Sequence, residues 1–297
     1  MIIEWPTLVL FISCLALLVL GVVWAPDLSL GLAFGLVCFA LVLHASLTHE
    51  ILHGHPFPSR VASEALAYIN PGLAIPYLRF RDTHLAHHQD VCLTDPYDDP
   101  ESNYLDPDVW QRMPAWLQFL RRVNNTLAGR ILFGPAIGQI SFMAQDWQAI
   151  RAGDFQVAKG WLWHIPGAVL VIWLVSLTPM PFWLYLVAAY AALSVLKIRT
   201  FLEHQAHEKA RGRTVVIEDR GPLALLFLNN NLHMVHHMHP RVAWYRLPGL
   251  YRTNRARYLS RNEGYYYRSY AQVFARHFLS AKDPVPHPLW SKGGKAR

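Results

Sequence analysis

The stretch LSLGLAFGLVCFALVLHASLTHEILH, residues 28–53, decides the reading of this chain: a run with no Asp, Glu, Lys or Arg from Leu28 to Leu47 leads directly into two histidines four residues apart. As a helix, Leu28–Leu47 is long enough to cross a hydrocarbon core of about 30 Å. The run Thr7–Trp24 is of the same kind, and Asp27 is the one charge within or between the two. They read as a helical hairpin. A second pair, Trp161–Leu177 and Pro181–Leu196, is separated by Thr178, Pro179 and Met180. No basic segment precedes the first run and no small-residue cleavage site follows it, so it reads as a span and not as a secretory signal.

Working outward, the first basic residue is Arg60, and neither hairpin tip carries Lys or Arg. Basic residues stay on the cytoplasmic side, so the tips are expected to face outward and both termini inward. The formal net charge of +7 is weighted toward Arg252, Arg255, Arg257, Arg261, Arg268 and Arg276, a pattern expected to contact anionic headgroups. No DNA-reading motif or base-stacking platform accompanies it, so no nucleic-acid partner is expected. Cys14, Cys38 and Cys92 have neither metal nor redox spacing. The sections 48–160 and 197–297 read as caps on one membrane domain covering 1–297. Within the first cap, Val61–Phe80 and Leu127–Ala144 are half-apolar and interrupted by Pro or Gly, which places them along the membrane surface. Leu93–Tyr104 reads as a loop.

Sixteen histidines are present, and their arrangement carries more than their number. His49 and His53 are four apart; His84, His87 and His88 share one spacing with His233, His236 and His237. Positions i, i+3 and i+4 lie on one helix face, so each cluster can aim two or three imidazoles at one point, as metal ligands do. One HxxxH pair is an ordinary coincidence; three clusters that all map to the same side of the spans are not. With His204, about two turns beyond the last span, there are nine candidates. A single ion of the zinc type takes three or four protein ligands, so nine imidazoles call for more than one metal. Imidazole suits iron, copper, zinc and nickel alike.

HEILH at 49–53, HLAHH at 84–88 and HMVHH at 233–237 resemble the three histidine boxes of the membrane fatty acid desaturase family, which also contains acyl and alkane hydroxylases and carotenoid ketolases. RFRDTHLAHH, RTFLEHQAHE and NNNLHMVHHMHP followed by WYRLP are similar to its bacterial branch. The resemblance covers most of the chain from His49 to about Pro248. It implies an all-α integral membrane protein with four transmembrane helices in two hairpins and a cytoplasmic helical cap holding a di-iron site, with oxygen as co-substrate. Carried over by position, His49, His53, His84, His87, His88, His233, His236 and His237 are the implied iron ligands, and His204 is the extra histidine upstream of the third box. The implied reaction is oxygen-dependent desaturation of a lipid acyl chain; the alternative is an acyl-lipid or carotenoid hydroxylase or ketolase on the same site. A bacterial inner membrane is the expected location.

The other histidines are expected to play lesser parts: His207 as an outer-sphere group or bystander, His55 and His239 in loops before proline, His44 and His164 as hydrogen-bonded structural groups, His277 and His287 at the surface. Glu50, Asp82, Asp90 and Glu203 adjoin the clusters and are candidates to accept the second N–H of a bound imidazole. Asn230 and Asn231 are placed to hydrogen-bond near the third box. Asp95, Asp98, Asp99 and Glu101 read as a solvated acidic loop. No flavin or nicotinamide fingerprint, iron–sulfur cysteine cluster or haem module is present, so a ferredoxin or similar external carrier is expected to deliver electrons. A metal transporter is the reading from a different class, but it needs ionisable residues inside the spans, and these spans are nearly devoid of them.

Overall fold

The structure is a computed structural model that describes residues 3–89 and 91–290; Asp90 lies outside the described residues. The described chain is predominantly helical: α1 (Trp5–Val23), α2 (Ala25–Leu28), α3 (Leu30–Leu52), α4 (Arg60–Ala67), α5 (Tyr77–His87), α6 (Pro107–Arg112), α7 (Ala115–Asn124), α8 (Leu127–Arg151), α9 (Phe155–Ser176), α10 (Phe182–Thr200), α11 (Pro222–Leu226), α12 (His233–Met238), α13 (Leu247–Arg261) and α14 (Tyr270–His277). The short strands β1 (Val216–Ile217) and β2 (Tyr266–Tyr267) pair in parallel. Two compact units emerge, one of residues up to Arg81 with Pro135–Leu196, the other of Asp82–Gly134 with the chain from Lys197 onward.

In the first unit, α1 and α3 form the expected hairpin. Cys14 donates through Sγ to the Ala40 carbonyl at 3.2 Å. Gly21 lets the two backbones approach, since a Cβ there would stand 2.9 Å from Val37 Cγ2; small residues serve this purpose wherever helices cross closely in membranes. Val9, Ile12, Leu15 and Val19 of α1 and Leu162, Val169 and Trp173 of α9 are exposed. Apolar surface this extensive is the face a protein shows to lipid. Trp5 and Trp24 bracket α1, where interfacial aromatic rings belong. All three cysteines are free.

Three boundaries differ from the sequence expectation. Helix α3 runs on to Leu52 and carries His49 and Glu50, with His53 as its C-cap. Val61–Phe80 breaks into α4, a turn and the start of α5. Leu127–Ala144 is part of an unbroken 25-residue helix that contains Pro135, so five helices, not four, are long and apolar enough to span a membrane. Proline inside a helix costs one backbone hydrogen bond, and packing outweighs that loss here.

A polar knot secures this unit. Arg79 donates from Nε and Nη2 to the two oxygens of Asp146 at 2.9 and 2.8 Å, and Trp161 Nε1 donates to Asp146 Oδ2 at 2.8 Å. Gly160 makes room, because a Cβ would stand 2.9 Å from Arg79 Cγ. Nearby, His164 Nε2 donates to the Leu73 carbonyl and His44 meets Thr48, both as structural imidazoles. Breaking one partner of a buried ion pair costs about 3–5 kcal/mol. Asp146→Ala is expected to lower the melting temperature in detergent sharply while Asp146→Asn retains part of the loss, as measured by thermal unfolding of the purified protein.

Candidate metal centre

The second unit brings seven of the nine candidate imidazoles together, and it divides the boxes instead of keeping each as one cluster. His87, His204, His233 and His237 each offer a nitrogen within 4.8 Å of the others. His87 Nε2 lies 2.9 Å and His233 Nε2 3.1 Å from His204 Nε2. His84, His88 and His236 form the other group, with His88 Nε2 3.0 Å from His84 Nε2 and 3.2 Å from His236 Nε2. The groups abut where the His88 and His237 rings stack at 4.2 Å. Helical geometry explains the division: a step of four residues rotates by about +40° and a step of three by about −60°. His84 and His88 therefore lean one way and His87 the other, as His233 and His237 do against His236. Two imidazoles of each three-histidine box share one focus and the third joins the other, so the two foci are shared between boxes.

The orientation of each ring comes from its other nitrogen. His87 Nδ1 meets Asp99 Oδ1 at 2.7 Å and His84 Nδ1 meets Glu101 Oε1 at 2.9 Å; His233 Nδ1 meets Asn230 Oδ1 at 3.2 Å, and Glu203 stands 3.7 Å from the same nitrogen. With Nδ1–H donating outward, the Nε2 lone pairs turn inward, which is the tautomer a metal requires. Neighbours bound to one ion at about 2.1 Å lie about 3.4 Å apart in tetrahedral geometry, and the nitrogen separations of 2.9–3.2 Å fall just below that value. The residues present fit a metal pair held by imidazole.

The acidic loop is thus solvated only in part: Asp98 is exposed, whereas Asp95 and Asp99 are buried. Asp99 is buried and accepts from the Thr94 and Glu101 amides at 2.8 and 2.9 Å, so the loop is wound around the carboxylates that hold α5. This pairing is what the sequence reading missed; the one available signal was a pair of carboxylates spaced two apart shortly after a histidine box. Arg213, almost fully buried, braces the same loop through the Val91 and Leu93 carbonyls.

The third box is held just as firmly. Asn231 Nδ2 donates to the Ile217 and Asp219 carbonyls, and Met234 N donates to the Val215 carbonyl at 2.9 Å. On its other side α12 packs against Leu247, Tyr251 and Tyr258 of α13. His207 Nδ1 meets the Lys209 backbone, the His207 carbonyl accepts from Arg213 Nε at 2.9 Å, and the ring joins neither group. His239 caps α12 beside Tyr258. His277 and His287, expected at the surface, are buried: His277 pairs with the Tyr267 hydroxyl at 2.9 Å and His287 with Thr94 Oγ1 at 3.2 Å. His287 Nδ1 also accepts from Leu289 N at 3.2 Å.

In the first unit, His49 and His53 pack ring against ring at 5.1 Å. His55 Nδ1 donates to Glu4 Oε2 at 2.7 Å, and its Nε2 stands 3.7 Å from Glu50 Oε1. Asp82 is exposed on α5.

Electrostatics favour neutral rings at His204 and His233 and the charged form at His87. Burial, reinforced by the neighbouring imidazoles, holds His204 and His233 well below the ordinary histidine range. For His87 burial acts the same way, but Glu101 and Asp99 outweigh it and raise the group to about 9. Burial alone would raise Glu101; His87 and His84 reverse this and hold its carboxyl well below the usual range. Glu203 is raised, with burial the largest cause.

An apolar multi-helix anchor joined to a cap with two foci of inward-facing imidazoles defines a membrane oxidoreductase of the histidine-box class. The fatty acid desaturase family model matches residues 7–270, and the chain belongs to that family. No curated protein matches it. Removing an outer hydrogen-bond partner of a metal-bound histidine costs typically about 10–100-fold in metal affinity. Asp99→Asn is expected to weaken metal retention by that range in a chelator competition, while His207→Ala leaves it unchanged.

Proposed function

We propose that the chain is an oxygen-dependent di-iron desaturase that introduces a double bond into a lipid acyl chain. The observation that carries this reading is the pair of imidazole foci with their Nδ1 atoms tied to Asp99, Glu101 and Asn230. His87, His204, His233 and His237 would hold one iron. His84, His88 and His236 would hold the other, with His49 and His53 added by the box resemblance. When bound, reduced iron supplies the oxygen chemistry that can oxidise an unactivated C–H bond. The overall balance is one CH2–CH2 unit, one oxygen molecule, two electrons and two protons giving one CH=CH unit and two waters.

The chain's own residues orient the ligands, keep His204 and His233 neutral and exclude water from the buried nitrogens. Family membership and the exposed apolar helices support a lipid substrate. Electrons come from an external ferredoxin-like carrier. Within the four-span reading, α1, α3, α9 and α10 cross a bacterial inner membrane with termini and site cytoplasmic. Helix α8, which buries Arg130 and Asp146, runs along the surface, since buried charges are costly inside a bilayer. Of the nine histidines only His49 lies on a helix long and apolar enough to span a membrane, in its last turn, which favours the enzyme over a metal transporter.

The decisive experiment is expression in a host lacking desaturases, supplied with iron and a reductase system, with lipids profiled by mass spectrometry. A species two mass units lighter, absent with His87→Ala, is expected. A gain of sixteen mass units would instead establish the hydroxylase, and an unchanged profile from iron-loaded protein would contradict both.

A further inference from the structure

His204 is the one member of its group that no helix carries. His87 lies on α5 and His233 and His237 on α12, whereas His204 follows the end of α10 and meets Thr214 through an isolated antiparallel bridge and a contact of 3.3 Å between Thr214 Oγ1 and His204 Nδ1. A ligand on irregular backbone needs outside support, because a misplacement of even about 1 Å degrades a functional constellation.

The support comes from the far end of the sequence. After α14 the segment 278–290 runs back across this unit. The Phe278 carbonyl accepts from Ala128 N at 2.9 Å, Lys282 N donates to the Asn125 carbonyl at 3.1 Å, and the Val285 carbonyl accepts from Leu105 N at 3.0 Å. His287 N donates to the Leu105 carbonyl at 2.8 Å, and Trp290 packs on Tyr97. The segment thereby flanks the loop that carries Asp99 and Glu101. At its centre the Lys282 ammonium, 12% exposed, donates to the backbone carbonyl of His204. Asp283 accepts from the Tyr104 hydroxyl, whose oxygen in turn accepts from Ala206 N at 2.9 Å. Two side chains thus grip the backbone of His204 and of the residue two beyond it. A lysine buried merely to complete the fold has no need to end on a ligand's own peptide.

We propose that Lys282, seconded by Tyr104 and Asp283, is a positioning residue for the metal site of His87, His204, His233 and His237: it holds the His204 peptide so that the imidazole meets the ion, and it places a positive charge beside that ligand. The inference rests on the metal-centre reading above. It makes the C-terminal segment part of the site, with a charge that disfavours loss of an electron from the bound metal and so favours its reduced state.

The test uses the full-length protein in detergent, loaded with Co2+, whose visible spectrum reports ligand geometry. Lys282→Met is expected to shift the spectrum and to speed metal release to a chelator by about 10–100-fold, the range for loss of an outer-sphere partner. Lys282→Arg, which restores charge and donor, is expected to recover much of the wild-type spectrum. Should Lys282→Met not fold, Tyr104→Phe keeps the ring, removes the hydroxyl and is expected to move both readouts in the same direction. Wild-type spectra and release rates in Lys282→Met, or in Tyr104→Phe in its place, would overturn the proposal while leaving the metal centre standing. A wild-type protein that binds no Co2+ would overturn the metal-centre reading itself, and this inference with it.

Discussion

Everything in the cap depends on one constraint: several imidazoles are buried with their Nε2 atoms about 3 Å apart, and such a packing is stable only if no two neighbouring rings are protonated and their tautomers are set from outside. Two protonated rings at that distance would repel in a poorly screened interior. The carboxylates of Asp99 and Glu101 and the amide of Asn230 set the tautomers by taking the Nδ1–H groups. An ion then meets lone pairs that already converge, so its binding does not have to order the side chains.

The architecture of the second unit follows from supplying those acceptors. The loop after α5 curls so that Asp99 and Glu101 return to the helix that precedes them, stapled by Thr94 and braced by Arg213. The asparagines before α12 divide the labour, Asn229 bonding to the Trp244 carbonyl, Asn230 to His233 and Asn231 to the β1 segment. Tyr251 and Tyr258 then close the back of α12 with apolar surface. The cost of so much polar burial is offset because the buried groups named here meet partners.

The spans and the boxes were legible in the sequence because both are local. An uncharged run has a length and a histidine box has a spacing, and each translates directly into helix geometry. What was not legible depends on distance or on packing. Nothing in the periodicity ties His87 to Asp99 or His84 to Glu101, because their partners sit on an irregular loop. His277 and His287, isolated in a polar tail, read as surface residues until the C-terminal segment is seen to fold back over Leu105 and Thr94. Gly134, Pro135 and Gly138 read as breaks in a helix that the packing of its neighbours keeps whole. The division of each box between two foci was within reach, since it needed only the sign of the rotation over three and four residues.

The central claim is that this chain holds two irons in a cage of imidazoles, and iron content tests it most directly. Protein purified in detergent from iron-replete cells, quantified by amino-acid analysis and assayed by plasma mass spectrometry, is predicted to carry two irons per chain, with Mössbauer parameters of nitrogen-rich coordination. A preparation that carries zinc alone, a single iron, or no metal while fully folded would contradict it.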